Sequence, residues 1–178
     1  LVVTSGHKDV LNLRRSQIPG SLGAWLTWQT PKPGIPLELT VDAPERVSIE
    51  GEVLKPLDTE GFRRNLATLK KEKPEVISLS LINSFTNNTN EVEAGRILRE
   101  EFPAAEIVLS SDVLPEVGEY ERTVTTAANA IIKPTIKRYI SHLSALLEDD
   151  CDVVRILKSD GGLTSLEVAE EAPVNLLM

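Results

Sequence analysis

The run Val-Ile-Ser-Leu-Ser-Leu-Ile, residues 76–82, constrains the fold more than any other stretch of the chain. It is almost continuously apolar, as a strand buried on both faces requires. A helical pattern follows it. Asn88 with Glu91 three residues later forms a capping box, and Val92, Ile97, Leu98 and Phe102 recur at helical intervals. Glu-Ile-Val-Leu-Ser, 106–110, then reads as a second strand. A strand, a helix and another strand within residues 76–110 are the βαβ signature of a parallel sheet, because parallel neighbours need a long crossover. The expected fold class is therefore α/β.

The flanking segments fit that class. Residues 1–4 suit a short strand, and His-Lys-Asp-Val-Leu-Asn-Leu after them a weak helix. From Leu37 to Leu57 the pattern is β-like, with segments at 37–41, 46–51 and 52–57. Asp58 is placed to cap a helix whose face carries Phe62, Leu66 and Leu69 and which ends near Pro74. Residues 16–36 are rich in Pro, Gly and Ser yet hold both tryptophans. Trp25 and Trp28 are expected to pin this loop to the body of the protein, with another chain as the alternative contact. Further on, Val124, Ala127, Ile131, Ile136, Ile140, Leu143 and Leu147 step by three to five residues along a long amphipathic helix. Pro134 interrupts it, which predicts a kink or two abutting helices. Asp152–Gly162 reads as a strand ending in an Asp-Gly-Gly loop, and Thr164–Pro173 as the start of another helix. There is no internal repeat and no low-complexity tract.

Composition narrows the function. The 178 residues suit one domain, or one and part of another, and 41% hydrophobic content is enough for a core. A net charge of −8 argues against a nucleic-acid partner, which needs a clustered basic surface. The densest basic runs, Arg63-Arg64 and Lys70-Lys71, fall on a solvated helix face. Cys151 is the sole cysteine, so neither an internal disulfide nor a cysteine-based zinc site can form, and a reducing, cytoplasmic setting fits. His7 and His142 match no metal-ligand spacing, read as surface or packing residues, and no metal site is expected. No apolar run approaches the ~20 residues of a membrane span, and no signal-peptide pattern is present. The apolar ends, Leu-Val-Val-Thr and Val-Asn-Leu-Leu-Met, read as segments cut in mid-structure, so the chain is expected to be a piece of a longer protein.

Two stretches could carry chemistry. Leu114–Ala130 gathers Glu116, Glu119, Glu121 and Arg122 just ahead of the long helix. Acids there favour the helix dipole, Thr123 or Thr125 can cap, and Arg122 can pair with Glu119 or Glu121. The alternative is a ligand site, since such sites in parallel sheets favour the carboxyl ends of strands. There an arginine can grip a carboxylate or imide, and a glutamate can position a water or a substrate N–H. Ser159-Asp160-Gly161-Gly162 is the second stretch, either a close backbone approach to a ligand or a tight Asp-Gly turn. It is neither a Walker loop nor a dinucleotide fingerprint. A weaker third candidate is Asn83-Ser84-Phe85 with Asn87–Glu91, again a strand end leading into a helix, where capping is the favoured reading.

Taken in order, Asn-Ser-Phe-Thr-Asn-Asn-Thr-Asn-Glu (83–91), the block from Leu109 to Ala130, Ile132–Ile140 and Ser-Asp-Gly-Gly-Leu (159–163) resemble the A subunit of ATP-dependent hydantoinases and 5-oxoprolinases, and the related acetone and acetophenone carboxylase subunits. The resemblance implies an actin-like (ribonuclease H-like) ATPase fold, ATP with Mg²⁺ as cofactors, and a small cyclic amide as substrate. It also implies a B-type partner subunit or a homo-oligomer. It divides the chain into an N-terminal region, 1–122, and the beginning of a second domain, 123–178. Glu119, Glu121, Arg122 and Asn129 become candidate substrate-binding residues, and Ser159, Asp160, Gly161 and Gly162 candidates for the nucleotide side. Two departures accompany it. The family's Asp-x-Gly-Gly-Thr phosphate loops do not occur in these residues, so the chain alone is expected to lack ATPase activity. Asn90 also stands where members often carry His. The competing expectation is a non-catalytic scaffold or subunit-interaction module, with Trp25 and Trp28 as its contact.

Overall fold

The computed structural model describes residues 1–18, 20, 21, 23–147 and 153–177. It forms two compact units, Leu1–Ala127 and Ala128–Met178.

In the first unit, strand β1 (Val2–Thr4) leads through short helices α1 (Val10–Leu13) and α2 (Ala24–Thr27) and a 3-10 turn to β2 (Val41–Ala43). Strands β3 (Arg46–Val47) and β4 (Val53–Lys55) pair antiparallel as a small hairpin. Helices α3 (Thr59–Asn65) and α4 (Ala67–Glu72) precede β5 (Val76–Ser80). Next come α5 (Thr89–Glu101), β6 (Glu106–Leu109), the single turn α6 (Ser110–Val113) and the first turns of α7 (Glu119–Leu147). The sheet runs β2-β1-β5-β6 and is parallel throughout, as the apolar run at 76–82 predicts.

Period-two alternation explains how both faces are covered. Val2, Ile77 and Leu79 turn to a core with Phe62, Leu66 and Leu69 from α3 and α4 and Ala94, Ile97, Leu98 and Phe102 from α5. Val3 turns the other way, to Leu1, Leu11 and Ala127. On that second face β5 presents Val76, Ser78 and Ser80, and Ser80 meets Thr123 of the helix above it. Asp58 caps α3, accepting from Gly61 N at 2.9 Å, as expected. The basic runs lie on the solvated side, where Arg63 pairs with Glu100 at 2.6 Å and Lys70 with Glu101.

Several local expectations give way. Leu37–Leu39 is a 3-10 turn, not a strand. The capping box at Asn88 does not form: Asn88 makes no side-chain cap, and Asn87 accepts from Thr89 N at 3.0 Å instead. Val92 is exposed and not part of the core face. Trp25 and Trp28 are 59% and 40% exposed, so the tryptophans do not bury the loop onto the body.

In the second unit, α7 runs on without a break through Pro134 to Leu147, which removes the two-helix alternative. The proline lacks an N–H for the carbonyl of Ala130 but leaves the helix continuous. Cys151 and Asp152 lie outside the described residues. Strands β7 (Arg155–Leu157) and β8 (Leu163–Ser165) form an antiparallel hairpin, followed by α8 (Leu166–Glu171) and the 3-10 turn Pro173–Leu176. Thr164 and Ser165, expected to open a helix, are therefore strand residues.

Candidate functional site

The carboxyl ends of β1, β5 and β6 meet in a buried polar network. Glu91, fully buried on α5, is its centre. Its Oε1 accepts from Leu81 N at 3.2 Å and Ser110 Oγ at 2.6 Å, and its Oε2 accepts from Ser111 N at 3.0 Å. One carboxylate thus ties the end of β5 to the end of β6. Ser110 Oγ also lies 3.1 Å from Ser84 Oγ. At the end of β1, Thr4 donates to Glu45 and accepts from Ile82 N at 2.9 Å. Asn90 donates to the other Glu45 oxygen at 2.8 Å, and its Oδ1 accepts from Leu57 N. Burial pushes the Glu45 carboxyl above the usual carboxylate range, against the opposing hydrogen bonds from Thr4 and Asn90.

Arg122 sits in the first turns of α7 and is 1% exposed. Its Nη2 donates to Leu81 O at 2.6 Å and its Nη1 to Glu116 O at 3.3 Å. The guanidinium lies 5.4 Å from the centre of the Phe85 ring, and its Nε is enclosed without a partner. Burial pulls this guanidinium below the usual arginine range, while the charges of Glu91 and Glu119 act in the opposite sense. Ser80 Oγ and Thr123 Oγ1, 2.9 Å apart, complete the contact between the sheet and α7.

Beside this network lies a cleft of about 430 Å³ lined by Ser84, Phe85, Thr86, Asn87, Ser111 and Gly51, among others. Its walls are polar. Asn83, just before the Ser84–Asn88 wall, adopts the left-handed region, φ 57°, and its Nδ2 donates to Val47 O at 2.9 Å. The Ser111 hydroxyl is enclosed and has no hydrogen-bond partner. The cleft can take a small neutral polar ligand: hydroxyl and amide groups line it, with Glu50 as its only charged side chain.

The sequence candidates fall in different places. Of the four charged residues at 116–122, only Arg122 enters the buried network. It is tied to carbonyls, not to carboxylates. Glu119 is exposed. Glu121 pairs with Arg15. Asn129, in the second unit, is fully buried and donates to Glu171 O at 3.2 Å and accepts from Val174 N at 3.0 Å. Ser159–Gly162 forms the turn of the β7–β8 hairpin. Asp160 Oδ1 accepts from Gly162 N at 2.8 Å, Lys158 O accepts from Gly161 N at 3.0 Å, and Ser159 binds Asn175 O. Both glycine amides are thereby used within the turn, so it offers no free pair of N–H groups to a phosphate. Among the described residues no cluster of three or more His, Cys, Asp or Glu could hold a metal ion. Nor is any described helix long and apolar enough to cross a membrane.

Sequence reasoning took Glu91 for a helix cap and passed over Glu45, Ser110 and Ser111. The available signal was position. Each lies within a few residues of the end of a sheet strand, or on the helix facing those ends.

A parallel α/β sheet with its polar cluster at the strand ends defines an α/β protein whose ligand site belongs at the carboxyl edge. Comparison with known proteins then fixes the family. Residues 1–102 match the hydantoinase/oxoprolinase N-terminal region and residues 122–178 match hydantoinase/oxoprolinase; the chain belongs to this family. It is 27% identical to caprolactamase subunit alpha of Pseudomonas jessenii, over 99% of this chain and 26% of that protein. It is 30% identical to the acetophenone carboxylase gamma subunit of Aromatoleum aromaticum, over 79% of this chain and 21% of that one. The crystal structure of the ATP-dependent caprolactamase from Pseudomonas jessenii superposes with a TM-score of 0.85 at 24% identity, over 98% of this chain and 26% of that chain, which shows the shared fold. The chain spans about a quarter of the length of these relatives.

Proposed function

We propose that the chain is the sheet-edge portion of an ATP-dependent enzyme that opens a cyclic amide of the hydantoin or lactam type. Family membership supports this reading, and the observation that carries it is the rigid strand-end network beside an open polar cleft. The amide group of the ring is bound by the Ser111 hydroxyl, which has no partner within the protein, beside Ser84 and against the Phe85 ring. Arg122 acts from behind as a positioning residue. By holding Leu81 O and backing Phe85, it fixes the segment 81–85 that forms one wall. Glu119 supplies a negative charge at the start of α7, Glu121 holds Arg15 beside it, and Asn129 fixes the segment after α8. The turn at Ser159–Gly162 faces the nucleotide side, with the phosphates and Mg²⁺ held by the family's phosphate loops elsewhere in the full-length protein. ATP hydrolysis supplies the driving force for ring opening. The enzyme is cytoplasmic and works with a B-type subunit.

The test is substrate-dependent ATP hydrolysis by the full-length protein and its Arg122→Lys variant, offered hydantoin, 5-oxoproline and caprolactam. A lysine keeps the charge but loses the two-pronged grip on Leu81 O and Glu116 O. Displacing the wall by about 1 Å is expected to lower kcat/KM for the cyclic amide by about 10²-fold. The KM for ATP should hold. No stimulation by any cyclic amide would refute the reading.

Exposure of Trp25 and of its neighbour Leu26 on α2 favours a second reading, in which this segment docks a partner subunit. Loss of the complex in a Trp25→Ser variant, with ATP turnover of the free subunit intact, would favour it.

A further inference from the structure

A second hollow, of about 520 Å³, lies in the first unit and is lined by Arg14, Arg15, Gln17, Ile18, Trp28 and Tyr120. None of these residues takes part in the strand-end network. Its chemistry differs from that of the cleft, with two guanidiniums and two aromatic rings replacing hydroxyls and amides.

The two arginines are not equivalent. Arg15 is neutralised by Glu121 of α7. Arg14 donates from Nη2 to Pro31 O at 2.6 Å, and among the described residues no carboxylate pairs with it. Its Nε is enclosed and has no acceptor at all. An enclosed donor left unpaired is costly, and a guanidinium presents its N–H groups as a fork suited to a carboxylate. The backbone is also held in rarely used conformations here. Arg14 has φ 54° and ψ −133°, and Ser16 has φ 52°. Such conformations persist where the surroundings dictate a geometry. Trp28 follows α2 in extended conformation and is 40% exposed, which leaves ring surface available. Indole and phenol surfaces suit a flat ring, and their packing adds to the area buried.

Charge selects among anions. With Arg15 matched by Glu121, the hollow holds one uncompensated positive charge. That suits a monoanion better than a phosphate dianion. We propose that this hollow binds a small molecule consisting of a flat ring that bears a single carboxylate, with Arg14 on the carboxylate and Trp28 and Tyr120 against the ring. The proposal is independent of the reading of the cleft, and its test needs neither ATP nor turnover.

The experiment is calorimetric titration of the full-length protein with benzoate, with benzamide as the uncharged isostere and with inorganic phosphate, alongside tryptophan fluorescence. Benzoate should bind saturably and quench fluorescence, and Trp28→Phe should remove that quenching. Arg14→Ala and Arg14→Lys should each weaken benzoate binding by about tenfold, the loss of one charge-assisted contact. The lysine variant guards against simple misfolding, because it keeps the charge and the aliphatic stem. Equal binding of benzamide and benzoate would overturn the proposal. So would phosphate competing with the same Arg14 dependence, or benzoate binding that ignores both Arg14 and Trp28.

Discussion

Glu91→Ala is the perturbation that the network answers most directly. Glu91 is fully buried and accepts three hydrogen bonds, from Leu81 N, Ser110 Oγ and Ser111 N. Removing it leaves two backbone N–H groups at the ends of β5 and β6 without acceptors, at about 1–3 kcal/mol each. It also removes a negative charge that favours the Arg122 guanidinium through space, without an ion pair between them. These contributions overlap, so a local destabilisation of about 3–4 kcal/mol is expected, below their simple total. Amide hydrogen exchange on the full-length protein reads it where it acts. Exchange at Leu81 and Ser111 should accelerate by about 10²–10³-fold, since each 1.4 kcal/mol is a factor of ten. Amides of α4, which Glu91 does not touch, should change little. Exchange at Leu81 and Ser111 within about threefold of the native rate would refute the claim that this carboxylate joins the strand ends.

Other consequences can be measured on the same protein. Burial raises the Glu45 carboxyl above its ordinary range, so between the unfolded and native values the folded state holds a proton that the unfolded state has lost. The native protein therefore loses stability as pH rises through that window, and Glu45→Gln, which cannot ionise, should gain relative to it from acid to neutral pH in urea unfolding. A difference independent of pH would contradict this. Asn129→Ala removes the acceptor of Val174 N and the donor to Glu171 O and should destabilise residues 166–177 by about 2 kcal/mol, read as faster exchange at Val174.

The sheet was legible because burial on both faces leaves an apolar run that a central parallel strand tolerates; residues 76–80 form such a strand, with 106–109 parallel beside it at the sheet's edge. The Asp58 cap was legible because it is local, needing only Gly61 three residues on. Glu91 carries the same spacing signature relative to Asn88, yet it serves the strand ends. The unpaired amides of Leu81 and Ser111 face it, and Asn87 already satisfies the helix start. Spacing along one helix cannot reveal a competitor that comes from two other strands. The charged cluster at 116–122 was misleading for a related reason. Helix α7 starts at Glu119, earlier than the threonines suggest, and a helical turn sends Arg122 inward, leaves Glu119 exposed and directs Glu121 to Arg15. Likewise Asp-Gly-Gly served a hairpin because β8 intervenes before α8.

The central claim is that the strand-end network shapes a cleft for a cyclic amide in an ATP-consuming enzyme. The most direct measurement is ATP hydrolysis by the full-length protein, titrated with hydantoin, 5-oxoproline and caprolactam, for the native protein and Arg122→Lys. The account predicts stimulation by at least one ring and an Arg122→Lys defect confined to the cyclic-amide parameters. Stimulation that is the same in both proteins, or none in either, would contradict it.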